Sequence, residues 1–269
     1  MADVVLIVLR RPETAPALLQ AGQTMTTLME GARLNVLAVR EPIQVTGLAA
    51  EVLIEEAVSV IRAKTQEQQR VAALRASFER WAGETGTDAH WIEVEGSASA
   101  IIGERGSRAD LIVSGQPLED DRLARQAFSA ALFGTDRPVL LVPPGGAASF
   151  GRSVAIAWRD EKRAVRAVIP ALRCLTNAEQ VHVLMGVRDK TAAPNMPKVL
   201  VEHGIAAQLH AVPIGSEPFG KTLLDAVHQL SADMLVMGAY AHSPLRELIL
   251  GGVTRYVLDH ADLPVLMRH

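Results

Sequence analysis

Glycine residues near the C terminus are spaced as in a loop that binds an anion. The segment ADMLVMGAYAHSPLRELILGGVTR, residues 232–255, begins with an apolar strand that ends at Gly238, and the pair Gly251–Gly252 opens the last helix. Glycine lets backbone N–H groups approach an anion closely, because no Cβ stands in the way. Residues 253–255 follow as a first helical turn, whose unpaired N–H groups and positive dipole end favour phosphate. The sequence therefore predicts a nucleotide-phosphate site in this segment.

An internal repeat indicates the elements that must position this loop. Residues 109–115 (ADLIVSG) match residues 232–238 (ADMLVMG) at four of seven positions, 123 residues apart. The tripeptide PVL at residues 138–140 recurs at residues 264–266, which is 126 residues further along. Two matches in the same order and at nearly the same offset indicate a duplication.

Each copy is predicted to alternate strands with helices. The strands, such as Val4–Leu9, are apolar runs without polar alternation, which indicates parallel strands covered on both faces. We therefore predict an α/β fold of two tandem, doubly wound units with five strands each, over residues 1–145 and 151–269. The boundary is expected at the turn-rich run PPGG, residues 143–146. Ligands of such sheets bind beyond the carboxyl ends of the strands, where the glycine loop is expected.

Composition and charge exclude several classes of function. A net charge of −3 and a pI near 6.2 give no electrostatic basis for binding nucleic acid, which requires a basic face. The six apolar residues Val4–Leu9 are too few for a signal peptide, and no run approaches the roughly 20 apolar residues of a membrane span. The single cysteine, Cys174, fits a reducing compartment. We therefore expect a soluble, cytoplasmic protein.

The glycine-containing segment, with PVLM behind it, resembles the nucleotide-binding signature of the universal stress protein family. That signature has a glycine, two residues, a second glycine, nine residues and a third glycine before a small or hydroxyl residue. Gly238 and Gly251 match the first and last glycines of the signature. Ala241 stands at the middle glycine, and Gly252 stands where serine or threonine is commoner.

The resemblance implies a tandem universal stress protein that binds an adenine nucleotide in its second copy. Strand one of that copy, VAIAWRDE at residues 154–161, has Arg159 where the family has an aspartate, and Asp160 follows one place later. The family places the base and ribose against strands one and two and the phosphates on the glycine loop. The residues carried over by position are Ala157, Trp158, Arg159 and Asp160 for base and ribose, Val187 for the adenine face, and Met237, Gly238, Ala241, Gly251, Gly252, Val253 and Thr254 for sugar and phosphates. His242, in the same loop, is a further candidate for contact with the phosphates.

The first copy is a poorer candidate for the same ligand. Its equivalent loop, Gly115–Asp121, carries three acidic residues where phosphates would lie, and like charges repel each other. Its first strand runs into Arg10 and Arg11, with no acidic residue for a ribose. The first copy is therefore expected to be a structural partner domain.

A rival motif lies at residues 215–222, GSEPFGKT, which match the P-loop pattern G-x-x-x-x-G-K-[ST] after a predicted strand. In this alternative, Lys221 would hold the phosphates of a true nucleoside triphosphatase. Pro218 argues against it, because proline removes one N–H donor from the loop. Asp233 lies at the wrong end of the neighbouring strand for the usual Mg²⁺-binding acid.

The expected function is regulatory binding of ATP, ADP or AMP by the second copy, with or without Mg²⁺. No general base is evident near the glycine loop, so slow ATP hydrolysis is the most that we expect. A nucleotide-free interaction protein and an NTPase that uses Lys221 are the alternatives. Strand five of each copy is expected at a sheet edge, so the two copies could pair there, and a homodimer of whole chains stays open.

Overall fold

The computed structural model describes residues 3–42, 53–147, 149–188, 195–239 and 252–269. The elements of the first half are β1 (Val4–Leu9), α1 (Ala15–Leu28), β2 (Arg33–Arg40), α2 (Leu53–Thr85), β3 (Ala89–Glu95), α3 (Ala98–Gly106), β4 (Leu111–Gly115), α4 (Arg122–Gly134) and β5 (Val139–Val142). Those of the second half are β6 (Ser153–Trp158), α5 (Lys162–Thr176), β7 (Gln180–Val187), α6 (Lys198–Glu202), β8 (Gln208–Pro213), α7 (Phe219–Gln229), β9 (Met234–Gly238), α8 (Gly252–His260) and β10 (Val265–Arg268).

Strand β1 shows why both faces of the sheet are covered. Val5, Ile7 and Leu9 belong to one hydrophobic core, whereas Leu6 and Val8 belong to the other. All five side chains are at most 2% exposed. Successive side chains of a strand point to opposite faces, so an unbroken apolar run fills both cores. Helices α1, α2, α5 and α6 cover one face, and α3, α4, α7 and α8 cover the other.

The strands form one sheet of ten, in the order β3-β2-β1-β4-β5-β10-β9-β6-β7-β8 among the described residues. Neighbouring strands within each half are parallel. Each half has the same order, with its first strand between its second and fourth. The predicted doubly wound α/β class with mostly parallel strands is confirmed.

The two halves meet where β5 pairs with β10 in antiparallel register, with Leu140 opposite Leu266. Charged side chains add contacts across this junction. Asp136, at the end of the first half's α4–β5 turn, contacts both Arg166 of α5 and Arg268 of β10. The sheet therefore continues through the junction without an unpaired edge at either of these strands.

The helices begin close to the residues predicted from the sequence, and prolines explain two shifts. Helix α1 was predicted from Pro12 and begins at Ala15, with a proline in its first turn. Helix α7 was predicted from Lys221 and begins at Phe219, directly after Pro218, whose φ of −55° suits a helix start. Helix α2 was predicted from about Leu48, and the part of that prediction before Leu53 lies outside the described residues.

No helix within the described ranges combines the length and the apolar character that crossing a lipid bilayer requires.

Candidate functional site

A cavity of about 710 Å³ opens at the carboxyl ends of the strands of the second half. Three parallel strands end there, because β6 lies between β7 and β9. Ala157 of β6 is in register with Leu184 of β7 and with Met237 of β9, and these three residues form the floor. The first turn of α8 closes one side, with Gly252, Val253 and the buried Thr254.

Most of the residues predicted for the nucleotide site are brought together in this cavity. Those that line it are Ala157, Trp158, Arg159, Asp160, Met237, Gly238, Gly252, Val253 and Thr254. Ala241, His242 and Gly251 lie outside the described residues, as do the other loop positions from 240 to 250.

Val187 is the exception, since it does not line the cavity and its neighbour Gly186 does. A Cβ on Gly186 would lie 2.9 Å from Phe219 Cζ and 3.1 Å from Ile214 Cδ1. The missing side chain lets the loop after β8 and the start of α7 approach the end of β7. The assignment of Val187 to the adenine face stays a prediction.

Sequence reasoning also missed apolar residues that line the cavity. Ile214, Phe219 and Leu223 line it near the start of α7, and Met185 lines it from the face of the sheet that α5 covers. Ile214 directly follows β8 and is 39% exposed, which is high for an isoleucine at the end of a buried sheet. The signal was available, because Met185 and Ile214 lie near the carboxyl ends of strands that the sequence predicted.

Among the described residues, the charged side chains that line the cavity are balanced in number. Arg159 and Arg188 carry positive charge, whereas Asp160 and Glu161 carry negative charge. Arg159 Nε lies 2.9 Å from Glu161 Oε1, so the arginine that replaces the family aspartate is paired with a neighbouring acid. Asp160 also lines the cavity and is an exposed carboxylate at its rim.

The equivalent position in the first half is nearly closed, with a cavity of about 40 Å³. Asp121 accounts for much of this closure. Its Oδ1 accepts a hydrogen bond from the backbone N–H of Ala124 at 2.9 Å, which caps α4, and its Oδ2 lies 2.7 Å from Arg11 Nε. The hydrogen bond to Asp121 raises the pKa of Arg11.

An ion pair lies beside this cavity. Arg10, which is 3% exposed, places its Nη2 atom 2.9 Å from Oε2 of the partly exposed Glu41. Burial lowers the pKa of Arg10. Burial alone would raise the pKa of Glu41, but the charge and hydrogen bond of Arg10 outweigh it and leave that pKa below its usual value. A further cavity of about 250 Å³, lined by Glu41, Glu67 and Glu95 among others, lies at the carboxyl ends of β2 and β3. In its described residues the first half thus has two smaller cavities, which Arg10 and Glu41 line, where the second half has one large cavity.

In the P-loop-like motif, Lys221 is paired with nearby acids and Gly220 packs against α8. Lys221 Nζ lies 2.9 Å from Asp225 Oδ2 and 3.2 Å from Glu217 Oε2. The hydrogen bond to Asp225 is the largest cause that raises the pKa of Lys221. Gly220 lies where α7 crosses α8, and a Cβ there would be 2.5 Å from Tyr256 Cβ. Helix packing and two carboxylates thus account for the glycine and the lysine without a phosphate.

No group of three or more His, Cys, Asp or Glu side chains with metal-binding geometry occurs in the part of the chain that the structure describes.

The fold and the cavity define a class of protein, namely a duplicated, doubly wound α/β chain with an open cleft at the strand ends of one copy. Residues 214–269 match the model of the universal stress protein family. A universal stress protein from Archaeoglobus fulgidus DSM 4304 has a similar structure, with a TM-score of 0.65 and 17% identity, covering 100% of this chain and 98% of that one. A functionally unknown protein from Pseudomonas aeruginosa PAO1 also has a similar structure, with a TM-score of 0.60 and 15% sequence identity, covering 99% of this chain and 92% of that one.

Among curated protein sequences, none matches the chain significantly. The recognition made from the glycine-containing segment is nevertheless confirmed. Residues 214–269 match that family's model, and the chain as a whole has a fold similar to that of a universal stress protein.

Proposed function

We propose that the second half binds an adenine nucleotide as a regulatory ligand. The observation that carries the proposal is the cavity of about 710 Å³, bounded by Gly238 at the end of β9 and by the first turn of α8. Its volume is within the range of about 300–1,000 Å³ that small-molecule sites occupy. Its position beyond parallel strand ends is the usual one for ligands of open α/β sheets.

The phosphates are assigned to the first turn of α8. Residues 252–254 line the cavity there, and the first N–H groups of a helix have no partner within it. Nothing lies within 4 Å of the point where a Cβ on Gly252 would be, so this side of the turn is open. The backbone can therefore approach a phosphate oxygen directly.

The base and the ribose are assigned to the other walls. Met185, Ile214 and Phe219 offer an apolar and aromatic surface on which a flat base can stack. Asp160 takes the role of the family aspartate toward the ribose hydroxyls, because Arg159 stands in the aspartate's place and is paired with Glu161. A carboxylate accepts hydrogen bonds from two hydroxyls at once.

Regulation accounts for this chemistry better than turnover does. The cavity carboxylates among the described residues are Asp160 and Glu161, and Glu161 is already paired with Arg159. A regulatory ligand acts by binding one arrangement of the protein more tightly than another, which shifts the population between them.

A charge placed in the phosphate position tests the proposal. The Gly252→Glu variant adds a carboxylate at the start of α8, where there is room for it. We expect isothermal titration to show ATP binding weakened at least about tenfold, because like charges repel at short range. The control is Gly83→Glu, which adds the same charge on the exposed side of α2, also with nothing within 4 Å.

Retention of ATP affinity by Gly252→Glu would contradict the assignment of the phosphates to α8. If millimolar ATP with Mg²⁺ produces no thermal shift in the unaltered protein, the nucleotide-free interaction protein is the correct alternative. Native mass spectrometry of the purified protein identifies which nucleotide, if any, it carries.

A further inference from the structure

The first half reaches the last helix of the second half through one buried side chain. Gln116, which is 8% exposed, directly follows β4. Its side-chain Nε2 donates hydrogen bonds to Leu258 O at 2.7 Å and to Ala261 O at 3.1 Å. These oxygens lie at the C-terminal end of α8, where helical carbonyls have no partner within the helix. Gln116 therefore caps α8 from the other half of the chain.

The repeat makes the position of Gln116 informative. Aligning ADLIVSG with ADMLVMG puts Gly115 on Gly238, so Gln116 corresponds to Ala239. In the second half the residue after the strand-end glycine, Ala239, lines the open cavity. In the first half the corresponding residue, Gln116, instead binds the end of α8. The loop after β4, which would meet a phosphate in a working copy, is used here for a contact between the halves.

This loop is held in place by its own hydrogen bonds. The backbone N–H of Gln116 donates to Val142 O at 3.0 Å, and that of Asp121 donates to Leu118 O at 3.0 Å. The pair between Asp121 and Arg11 fixes its far end. These contacts fix the position of the loop, and therefore of the Gln116 side-chain amide that contacts α8.

Helix α8 is short enough for a contact at one end to fix the other. It spans Gly252–His260, which at a rise of about 1.5 Å per residue is about 14 Å. Its buried face includes Thr254 and Val257, and its Tyr256 lies against Gly220 of α7. A helix of this length moves as a unit, so release of its C-terminal end also displaces the first turn that lines the cavity.

We propose that Gln116 is a positioning residue through which the first half sets the nucleotide affinity of the second. The inference rests on the proposed nucleotide site. Helix α8 has a held arrangement, capped by Gln116, and a released one in which that cap is broken. A nucleotide that binds the held arrangement more tightly stabilises the contact with Gln116, and by linkage the contact raises the affinity for the nucleotide by the same factor.

The test removes the two donors and preserves the approximate size of the side chain. The Gln116→Met variant leaves two buried carbonyl oxygens without their donor. We expect hydrogen–deuterium exchange of the amides of residues 256–260 to become faster without ligand, and ATP binding to weaken about tenfold. Gln116→Asn, whose amide is one methylene too short to reach α8, disturbs the site less and is expected to show the same two changes.

The control is Gln23→Met, at another glutamine of the first half that is partly buried. Gln23 Nε2 donates to Thr87 Oγ1 at 2.8 Å, away from α8. Its loss removes one hydrogen bond of the same chemical type, so exchange at α8 and ATP affinity are both expected to stay within about twofold of the unaltered protein.

Each outcome distinguishes this inference from the proposed function. If the α8 amides exchange at unchanged rates in both Gln116 variants, Gln116 does not hold the end of α8, whether or not ATP binds. Faster exchange with unchanged ATP affinity overturns the coupling between the halves. A third outcome is that the unaltered protein binds no adenine nucleotide while the α8 amides of Gln116→Met still exchange faster. The proposed function and the effect on affinity are then both wrong, although Gln116 does cap α8.

Discussion

Two glycine-containing patterns, the P-loop-like motif at residues 215–222 and the segment at residues 232–255, are rival phosphate sites in the second half, and single-residue contacts distinguish them. Lys221 lies between the carboxylates of Glu217 and Asp225 and is 44% exposed. The two acids offset the positive charge of Lys221, which makes it a poorer counterion for a triphosphate. The first turn of α8, by contrast, carries no acidic residue and faces an open cavity.

Replacing Lys221 by alanine is therefore expected to leave ATP affinity within about twofold of the unaltered protein, because the lysine does not contact the proposed ligand. Titration calorimetry with ATP and Mg²⁺ measures this directly. Loss of binding in Lys221→Ala would establish the P-loop alternative and reject the cavity.

The sequence predicted those residues of the proposed site whose role depends on close approach of the backbone. It did not predict residues whose role depends on how side chains from different elements pack together. The positions of Gly238 and Gly252 followed from the need for close backbone approach, and both line the cavity. The role of Gly186 did not follow, because it depends on how Phe219 and Ile214 pack against the end of β7. Those contacts join residues about 30 positions apart in the chain, which no local pattern encodes.

Among the secondary-structure elements, the crossing of α7 and α8 determines where the proposed phosphate turn lies. Gly220 allows the close contact, since a Cβ there would lie 2.5 Å from Tyr256 Cβ and 2.9 Å from Tyr256 Cγ. A side chain at this point must push the two helices apart or move the tyrosine ring. The glycine of the P-loop-like motif is thus explained by the packing of helices.

We expect Gly220→Ala to lower the free energy of unfolding by about 1–3 kcal/mol, because overpacking a close contact forces backbone shifts. Chemical denaturation followed by circular dichroism gives the value. Gly83→Ala is the matched control: nothing lies within 4 Å of that Cβ, and alanine favours a helix interior, so stability should rise by up to about 1 kcal/mol. A neutral Gly220→Ala would mean that α8 is free to move away from α7.

The order and type of the elements were largely predictable, since apolar runs of strand length alternate with amphipathic segments. Strand β1 begins and ends at the predicted residues, Val4 and Leu9. The ion pairs that fill the first half were not predictable, because Arg10 and Glu41 follow different strands and meet only once those strands are neighbours. The repeat therefore indicated the duplicated fold, and the acidic loop Gly115–Asp121 indicated that the two copies differ, but neither pattern predicted the ion pair between Arg10 and Glu41.

At the scale of the whole molecule, pairing of β5 with β10 joins the two halves into one sheet. The hydrophobic core on each face of that sheet therefore runs through both halves. Leu140 and Leu266 face each other across the junction, and both are 0% exposed. One of the two cores contains residues from both halves around this pair. Because no break separates the halves at this level, the molecule should unfold as one cooperative unit.

Leu266→Ala tests this cooperativity, since it removes buried methyl groups at the junction and should cost about 2–5 kcal/mol. Single-tryptophan versions that retain either Trp91 in the first half or Trp158 in the second report the two halves separately. We expect both urea midpoints to fall by the same amount, because unfolding either half exposes the shared core. Val201→Ala, at a side chain that is 64% exposed, is the control and should change stability by less than about 0.5 kcal/mol. A shift of the Trp158 transition alone would show that the halves unfold independently, and the second half would then have to hold its ligand without help from the first.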